Sequence, residues 1–270
     1  MRARFVGVLV SFVFLTGCPG REPAIEARTP ALDVPRLDGG KIEENGEGVR
    51  FAHPPATVGA TTSVTVKATS SAPDDQDGEQ VSSYASAFTV TVLEVDGPAP
   101  SKVKVAIERN VQTYQERARP TAINGKTYEL NTLTGEVRTG DQVATPDEAQ
   151  RVMDVVPDLG ARARLEEVLP ERPMRIGERR DEVATAVLRL VHPRAWTAKA
   201  AEAKLARVEG ELAVFGITLE ANSATGVNMK IAGEARVSTK DAKLRSVSLS
   251  GGYTFRDDPP GKFVYERQLQ

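Results

Sequence analysis

The residue best suited to covalent chemistry is Cys18, the single cysteine of the chain. It follows an almost uninterrupted apolar run over residues 5–15, and two arginines stand near the start of the chain. A spanning helix needs about 20 apolar residues and this run has about half that number, so the pattern predicts a cleaved export signal. The thiol is a good nucleophile for alkylation. Two small residues, Thr16 and Gly17, separate the apolar run from this cysteine.

Four consecutive residues resemble the lipobox of bacterial lipoproteins: Leu15, Thr16, Gly17 and Cys18. In that family the cysteine sulfur receives diacylglycerol, the signal is cut before the cysteine, and the new amino terminus is acylated. The resemblance implies a signal peptide over 1–17, fatty acylation such as palmitate at the cysteine, and anchoring in the cell envelope, because several acyl chains hold a protein far better than one. Pro19 replaces the aspartate of inner-membrane-retained members, which favours the outer membrane, facing the periplasm. The alternative is a plain secretory signal followed by a core cysteine.

Known catalytic motifs are absent from the sequence: it has no Gly-x-Ser-x-Gly elbow, phosphate loop or dinucleotide fingerprint. His53 and His192 each precede a proline at the apparent end of an element, without the cysteine or His-x-x-x-His context of a zinc site. We therefore predict a protein that is not an enzyme, with no catalytic residue, metal or cofactor. A hydrolase built from a serine, a carboxylate and one of these histidines is the least favoured reading.

Three other features could bind a ligand, and each has a simpler interpretation. The acidic run 74–79 suits calcium, but the EF-hand pattern would put Pro73 and Tyr84 at its first and last positions, so a solvated loop is favoured. Trp196, the single tryptophan, is expected in the core more than at a ligand. A basic run could touch anionic lipid or a partner, but nearby acids favour a solvated face: Arg172, Arg175, Arg179 and Arg180.

Composition indicates a globular protein with a tethered amino terminus. The chain has 270 residues, of which 40% are hydrophobic and 27% charged, and its net charge of -2 argues against nucleic-acid binding. Residues 18–45 are rich in proline, glycine and charge, which predicts a lipidated flexible tether. Residues 46–270 are then expected to form a single β-rich α+β domain.

Two stretches of period-two alternation flank a helical middle. Strands are expected over 47–138 and 197–268, and helices over 145–192. In the first strand stretch, Val49 and Phe51 predict a short strand, 70–80 a polar loop, and Asn124-Gly125 a tight hairpin turn. The alanine-rich run 198–208 fits helix or strand, and its alternation favours strand. We predict one continuous sheet, with two separate domains as the alternative.

The helical middle has clear start and stop signals. Thr145 is a predicted N-cap, Pro146 the first helical residue, and Glu148 the partner that completes a capping box. Further helices are expected over 158–169 and 181–191, where apolar residues recur at helical spacing between prolines. The simplest burial scheme is a curved antiparallel β-sheet, half-barrel-like, packed on this central helical segment.

This layout resembles some uncharacterised bacterial lipoproteins through three short stretches: 124–128, 169–178 and 233–235. It also resembles the half-barrel of periplasmic lipoprotein carriers and related sensors, in which a curved sheet cups helices and the hollow takes acyl chains. The resemblance implies a non-enzymatic binding module for an apolar or lipid-like ligand, with the membrane as a partner through the N-terminal lipid. The alternative is a structural or assembly partner of an envelope protein that has no hollow.

Overall fold

A computed structural model describes residues 48–73, 78–157, 159, 164–191, 196–255 and 258–270. The predicted signal peptide, the lipobox with Cys18, the tether 18–45, Asp74 to Asp77 and His192 lie outside the described residues. None of the described helices has the length and apolar character needed to cross a bilayer.

The described part is dominated by one open, curved, antiparallel sheet. Its strands are β1 (Thr61–Pro73), β2 (Glu79–Asp96), β3 (Ala99–Tyr114), β4 (Arg117–Pro120), β5 (Thr127–Asn131), β6 (Val137–Thr139), β7 (Gln142–Val143), β8 (Trp196–Glu209), β9 (Leu212–Ser223), β10 (Val227–Ser238), β11 (Leu244–Phe255) and β12 (Gly261–Leu269). They lie in the order β7-β6-β5-β3-β2-β1-β12-β11-β10-β9-β8, and β4 pairs with β3. Strands β1 and β12 pair with each other, so the two strand-rich stretches form one continuous sheet, as predicted.

In the described part of the chain, three short helices lie between the two ends of this sheet: α1 (Pro146–Val155), α2 (Leu165–Val168) and α3 (Asp181–Val191). Because they join β7 at one edge to β8 at the opposite edge, the chain between these strands has to pass across the sheet. The predicted capping box of α1 is confirmed. The Glu148 backbone N–H donates to Thr145 Oγ1 at 3.4 Å, and the Thr145 backbone N–H donates to the Glu148 carboxylate at 3.3 Å.

The helices cover one face of the sheet, here called the inner face, and share one hydrophobic core with it. The apolar side of α3 is fully buried, as its spacing predicts, with Val183 and Val187 at 0% exposure. Opposite it, β9 contributes Phe215, Ile217 and Leu219, which are also fully buried. Apolar burial of this extent is the main stabilising contribution to the fold.

The sheet edge at β8 is partly covered by the chain that leads into α3. The backbone N–H of Gly177 donates to the carbonyl of Leu205 at 2.7 Å, and that of Arg180 donates to the carbonyl of Ala203 at 2.8 Å. Gly177 has φ +89°, in the left-handed region that favours glycine. This segment satisfies edge groups that would otherwise be open to another strand.

Four local predictions need correction. Val49 forms only an isolated bridge with Met174, and Phe51 is buried against Phe215 outside any strand. The loop expected over 70–80 is shorter, because β1 extends to Pro73 and β2 begins at Glu79. Asn124-Gly125 does form a turn, but its flanks β4 and β5 both pair with β3 instead of with each other. In the described part of 158–169, only Leu165–Val168 is helical.

A candidate functional site on the inner face

Strand β3 changes the face on which its side chains lie, because one residue is inserted halfway along it. Ile107 lies opposite Phe88 of β2, whereas Arg109 lies opposite the preceding residue Ala87, so Glu108 is the extra residue of a β-bulge. A single inserted residue moves every later side chain to the other face. Before the bulge, the inner face of β3 is apolar; after it, the inward residues are Asn110, Gln112 and Tyr114.

These residues belong to a larger set that we call the inner polar patch: Ser70 of β1; Gln80, Ser82, Tyr84 and Ser86 of β2; Asn110, Gln112 and Tyr114 of β3; and Arg267 of β12. Directly opposed residues share a face of a sheet. The register places these side chains on the same face as buried Val64 and Val66. Five polar or charged residues are buried among those described, and four of them belong to this patch: Ser70, Ser86, Asn110 and Arg267.

Asn110 is the centre of a hydrogen-bond network. Its Nδ2 donates to the Tyr84 hydroxyl at 2.7 Å and to Ser86 Oγ at 3.2 Å, and its Oδ1 accepts from Thr121 Oγ1 at 2.7 Å. Its backbone N–H donates to Asn124 Oδ1 at 2.7 Å. Both the NH₂ group and the carbonyl oxygen of the Asn110 side chain therefore have hydrogen-bond partners, as a buried amide requires. The network fixes the Asn124 turn and the Tyr84 ring against β3.

Arg267 brings a positive charge to the inner face, with only 2% of the residue exposed. Its guanidinium carbon lies 5.8 Å from the centre of the Phe88 ring, within the range of a cation–π contact. The Arg267 side chain also borders a small recess lined by Val66, Tyr84, Asp154, Val155, Leu190, Val191, Tyr265 and Arg267. The recess has a volume of about 10 Å³, close to the minimum that one water molecule needs.

The recess lies where the C-terminal ends of α1 and α3 meet the sheet. The Tyr265 hydroxyl donates to the carbonyl of Leu190 at 2.9 Å and so ties β12 to α3. Burial raises the pKa of Tyr84, against the opposing effect of its hydrogen bonds with Ser86 and Asn110. The Tyr84 phenol is therefore neutral at physiological pH and keeps its hydroxyl proton for hydrogen bonding.

Helix α1 is positioned by contacts at its first turn. Lys126 Nζ lies 2.7 Å from Glu148 Oε1, and the Tyr128 hydroxyl donates to the same oxygen at 3.2 Å. The ion pair with Lys126 lowers the pKa of Glu148 to about 2, and burial, together with this carboxylate, raises the pKa of Tyr128 to about 12. These contacts hold the start of α1 at β5, and the helix carries Asp154 to the recess at its other end.

The candidate residues found from the sequence lie elsewhere. His53 is exposed in the segment before β1, and Trp196 packs against the core, as its simpler interpretation predicts. Within the described residues, no group of histidine, cysteine, aspartate and glutamate could hold a metal ion. Three arginines of the basic run form ion pairs with acidic neighbours, in agreement with a solvated face: Arg172 with Glu178, Arg179 with Asp181, and Arg180 with Glu182.

Comparisons with known proteins do not assign this chain to a family. No model of a protein family matches this sequence, and no curated protein matches it significantly. DynF, from the dynemicin biosynthesis pathway of Micromonospora chersina, is 9% identical with a TM-score of 0.22, and the match covers 87% of this chain and 90% of that one. A DUF1329 family protein from Desulfovibrio piger is 9% identical with a TM-score of 0.15, covering 77% and 85%. Neither similarity is high enough to carry an argument about fold or function.

Proposed function

We propose that this chain is a lipoprotein of the bacterial cell envelope, anchored through Cys18 in the outer membrane and facing the periplasm. Its folded part binds an apolar or lipid-like ligand without catalysing a reaction. The observation that supports this proposal is the inner face of the curved sheet. It is apolar over most of its area and polar in the inner polar patch, whose residues are buried or half-buried. Such a face suits a ligand with an apolar body and a few polar groups.

In this proposal the curved sheet is a half-barrel. The helices now fill the space that the apolar part of the ligand would take. Most of the contact between the helices and the sheet is made by α3 on β8 and β9, at one end of the sheet. Helix α2 has only four residues. A ligand would enter beside β1, β2, β3 and β12 by displacing short helical segments, and the tether would raise its local concentration at the membrane.

The second candidate is a structural or assembly partner in the envelope, with no small ligand. One observation favours it: Val152 of α1 and Val183 and Val187 of α3 are completely buried in the same core as the sheet. The described recess holds no more than about one water molecule. A filled interior of this kind leaves the outer surface and the sheet edges as the binding elements.

Mass spectrometry decides between these candidates. Residues 19–270, purified from bacteria and sprayed under native conditions, are expected to carry a species of defined mass that is lost on denaturation and recovered in a lipid extract. A protein of unmodified mass in repeated preparations, still unmodified after incubation with the total lipid extract of the cells, would contradict ligand binding and support the assembly role.

The anchor is tested separately, in living bacteria supplied with labelled palmitate. The full chain is expected to incorporate the label and to fractionate with membranes, because the Cys18 sulfur would carry diacylglycerol through a thioether and the new amino terminus would carry an acyl chain through an amide. Cys18→Ala removes the nucleophile and should abolish labelling. Thr16→Ser, which keeps a small residue before the cysteine, serves as the control. Equal labelling of Cys18→Ala and the natural chain would show that the lipobox assignment is wrong.

A further inference from the structure

We propose that one end of the sheet docks on the surface of a lipid bilayer through exposed apolar side chains. This surface, called the apolar tips, consists of Val58 in the loop before β1, Val95 near the end of β2 and Leu133 in the turn between β5 and β6. The inference goes beyond ligand binding on the inner face. It rests on the proposed function in one respect, because it takes the membrane of the Cys18 anchor as the docking partner.

The apolar tips are accessible to solvent instead of packing in the core. Leu133 is 69% exposed, Val58 58% and Val95 39%, and Leu133 is the most exposed large hydrophobic residue among those described. Val143, 64% exposed on the edge strand β7, pairs with Arg138 shortly after the same turn. Isolated exposed apolar residues are ordinary in proteins, but several on adjacent loops form a patch, which marks a contact with a membrane or a partner.

Backbone hydrogen bonds hold the apolar tips next to one another. The Gly59 N–H donates to the carbonyl of Val92 at 2.8 Å, which places the loop before β1 beside the end of β2. The Thr132 N–H donates to the carbonyl of Ser101 at 2.9 Å, which places the β5–β6 turn beside the start of β3. Strands β2 and β3 are adjacent, and neighbouring strands are about 4.8 Å apart. The tips therefore form one row along this end of the sheet.

The stretches that carry the tips are almost free of charge, which suits insertion between lipid headgroups. No aspartate, glutamate, lysine or arginine occurs in 54–66, 97–101 or 131–135, although 27% of the chain is charged. The residues that flank these stretches carry charges of both signs: Lys67, Asp96, Lys102 and Glu136. This end therefore lacks the excess of cations that anionic lipid attracts. Apolar burial would stabilise the contact, so a zwitterionic bilayer is the expected partner.

The chain enters the folded part at the same end of the sheet. The Ala52 N–H donates to the carbonyl of Thr239 in the β10–β11 turn, and the Ala56 N–H donates to that of Pro98 in the β2–β3 turn, both at 2.9 Å. The register places these two turns at one end of the sheet. A flexible tether over 18–45, as the sequence predicts, spans ~30 Å on average. The 12 residues of β10 extend about 40 Å, so the anchor favours docking by this end over the opposite one.

The anchor also supplies the condition under which so small a contact is occupied. Three side chains bury less apolar area than one acyl chain, which gives only marginal binding by itself. An anchor in the same bilayer makes docking intramolecular, at an effective concentration on the order of mM for a short flexible linker. Docking is therefore expected of the anchored chain.

The test measures how deeply one tip enters a bilayer. Residues 18–270 carrying Leu133→Trp are coupled through Cys18, the single cysteine, to a maleimide-bearing lipid in vesicles of phosphatidylcholine with brominated acyl chains. The introduced tryptophan should lose about half of its emission, because an interfacial side chain reaches about 5–10 Å into the bilayer. The natural chain is the matched control. Its single tryptophan, Trp196, pairs with Ser223 at the opposite end of the sheet and should keep its emission.

A second substitution tests whether the neighbouring tip takes part. Val58→Glu, added to Leu133→Trp, should lower the docking equilibrium about tenfold and remove most of the quenching, because a carboxylate would have to leave water. Val264→Glu in the same background is the control. Val264 is also an exposed valine, at 42%, but it lies on the outer face of β12, so this variant should be quenched like Leu133→Trp alone.

Other outcomes overturn the inference in distinguishable ways. An unquenched tryptophan in the folded, coupled Leu133→Trp chain would contradict docking and leave the lipid anchor, which palmitate labelling tests, in place. Quenching of Trp196 as well, or equal losses in Val58→Glu and Val264→Glu, would mean adsorption without this orientation. A dimer in solution that Val58→Glu abolishes would assign the tips to a second copy of the chain. Thermal unfolding of every variant is recorded first, and Val58→Trp replaces Leu133→Trp if the latter does not fold.

Discussion

Gly233→Ala is expected to lower the free energy of unfolding by more than about 3 kcal/mol, the upper range for overpacking a closely fitted site. A Cβ on Gly233 would lie 2.0 Å from the carbonyl oxygen of Ser248 and 2.9 Å from the Cα of Leu249. Both atoms belong to the backbone of β11, so no side-chain rotation can make room. The two strands would therefore have to move apart at this point.

Gly251→Ala should have a similar effect for the reciprocal reason. Its Cβ would lie 2.1 Å from the carbonyl oxygen of Lys230 in β10, and the two glycines are two residue pairs apart in the same ladder. Close approach of this kind is a usual reason for glycine inside a strand and allows a sheet to bend.

Thermal unfolding measures both effects. For a chain of this size, a loss of about 3 kcal/mol corresponds to a fall of at least about 6 °C in Tm. Ser250→Ala, at an exposed position of the same strand, is the control and should change Tm by less than about 2 °C. If the two alanine variants have the same Tm as Ser250→Ala, β10 and β11 can move apart without a loss of stability. That result would contradict this prediction.

The parts of the fold that could be predicted are those set by local chemistry. The capping residues Thr145 and Glu148 act within one turn, so their pattern is readable from the sequence. The helix 181–191 was predictable because its apolar residues recur at one spacing over three turns. The single sheet was inferred from strand-rich stretches at both ends of the chain. Which strands join these stretches, β1 and β12, depends on contacts about 200 residues apart, and no local pattern reports them.

The candidate site could not be predicted, because it depends on the bulge at Glu108. Simple alternation from Val105 and Ile107 continues to Arg109 and Val111 as inward residues, and would put Asn110 on the outer face. The structure reverses this assignment by inserting one residue opposite β2. One signal was present: after Ile107, continued alternation would bury an arginine next to a stretch of polar residues. A bulge that turns Arg109 outward resolves that conflict.

Asn110→Ala is expected to destabilise the chain by about 2–4 kcal/mol, although only a small side chain is removed. The substitution leaves the Tyr84 hydroxyl, Ser86 Oγ and Thr121 Oγ1 without the partner that each has now. Ser86 and Tyr84 keep the hydrogen bond between them, and the Ser86 hydroxyl still donates to the carbonyl of Arg109 at 3.2 Å. The remaining cost comes from buried polar atoms that water cannot reach, since Asn110 itself is only 3% exposed.

A double-mutant cycle with Thr121→Val separates this network from the simple loss of packing. Thr121 Oγ1 donates to Asn110 Oδ1 at 2.7 Å, so either single variant leaves the other group unpaired. The double variant should therefore be more stable than the sum of the single effects predicts, by about 1 kcal/mol in denaturant unfolding. Asn228→Ala, at an exposed position of β10, is the control for asparagine removal. Strictly additive effects would mean that Asn110 acts only by filling space. The inner polar patch would then be a set of separate polar residues.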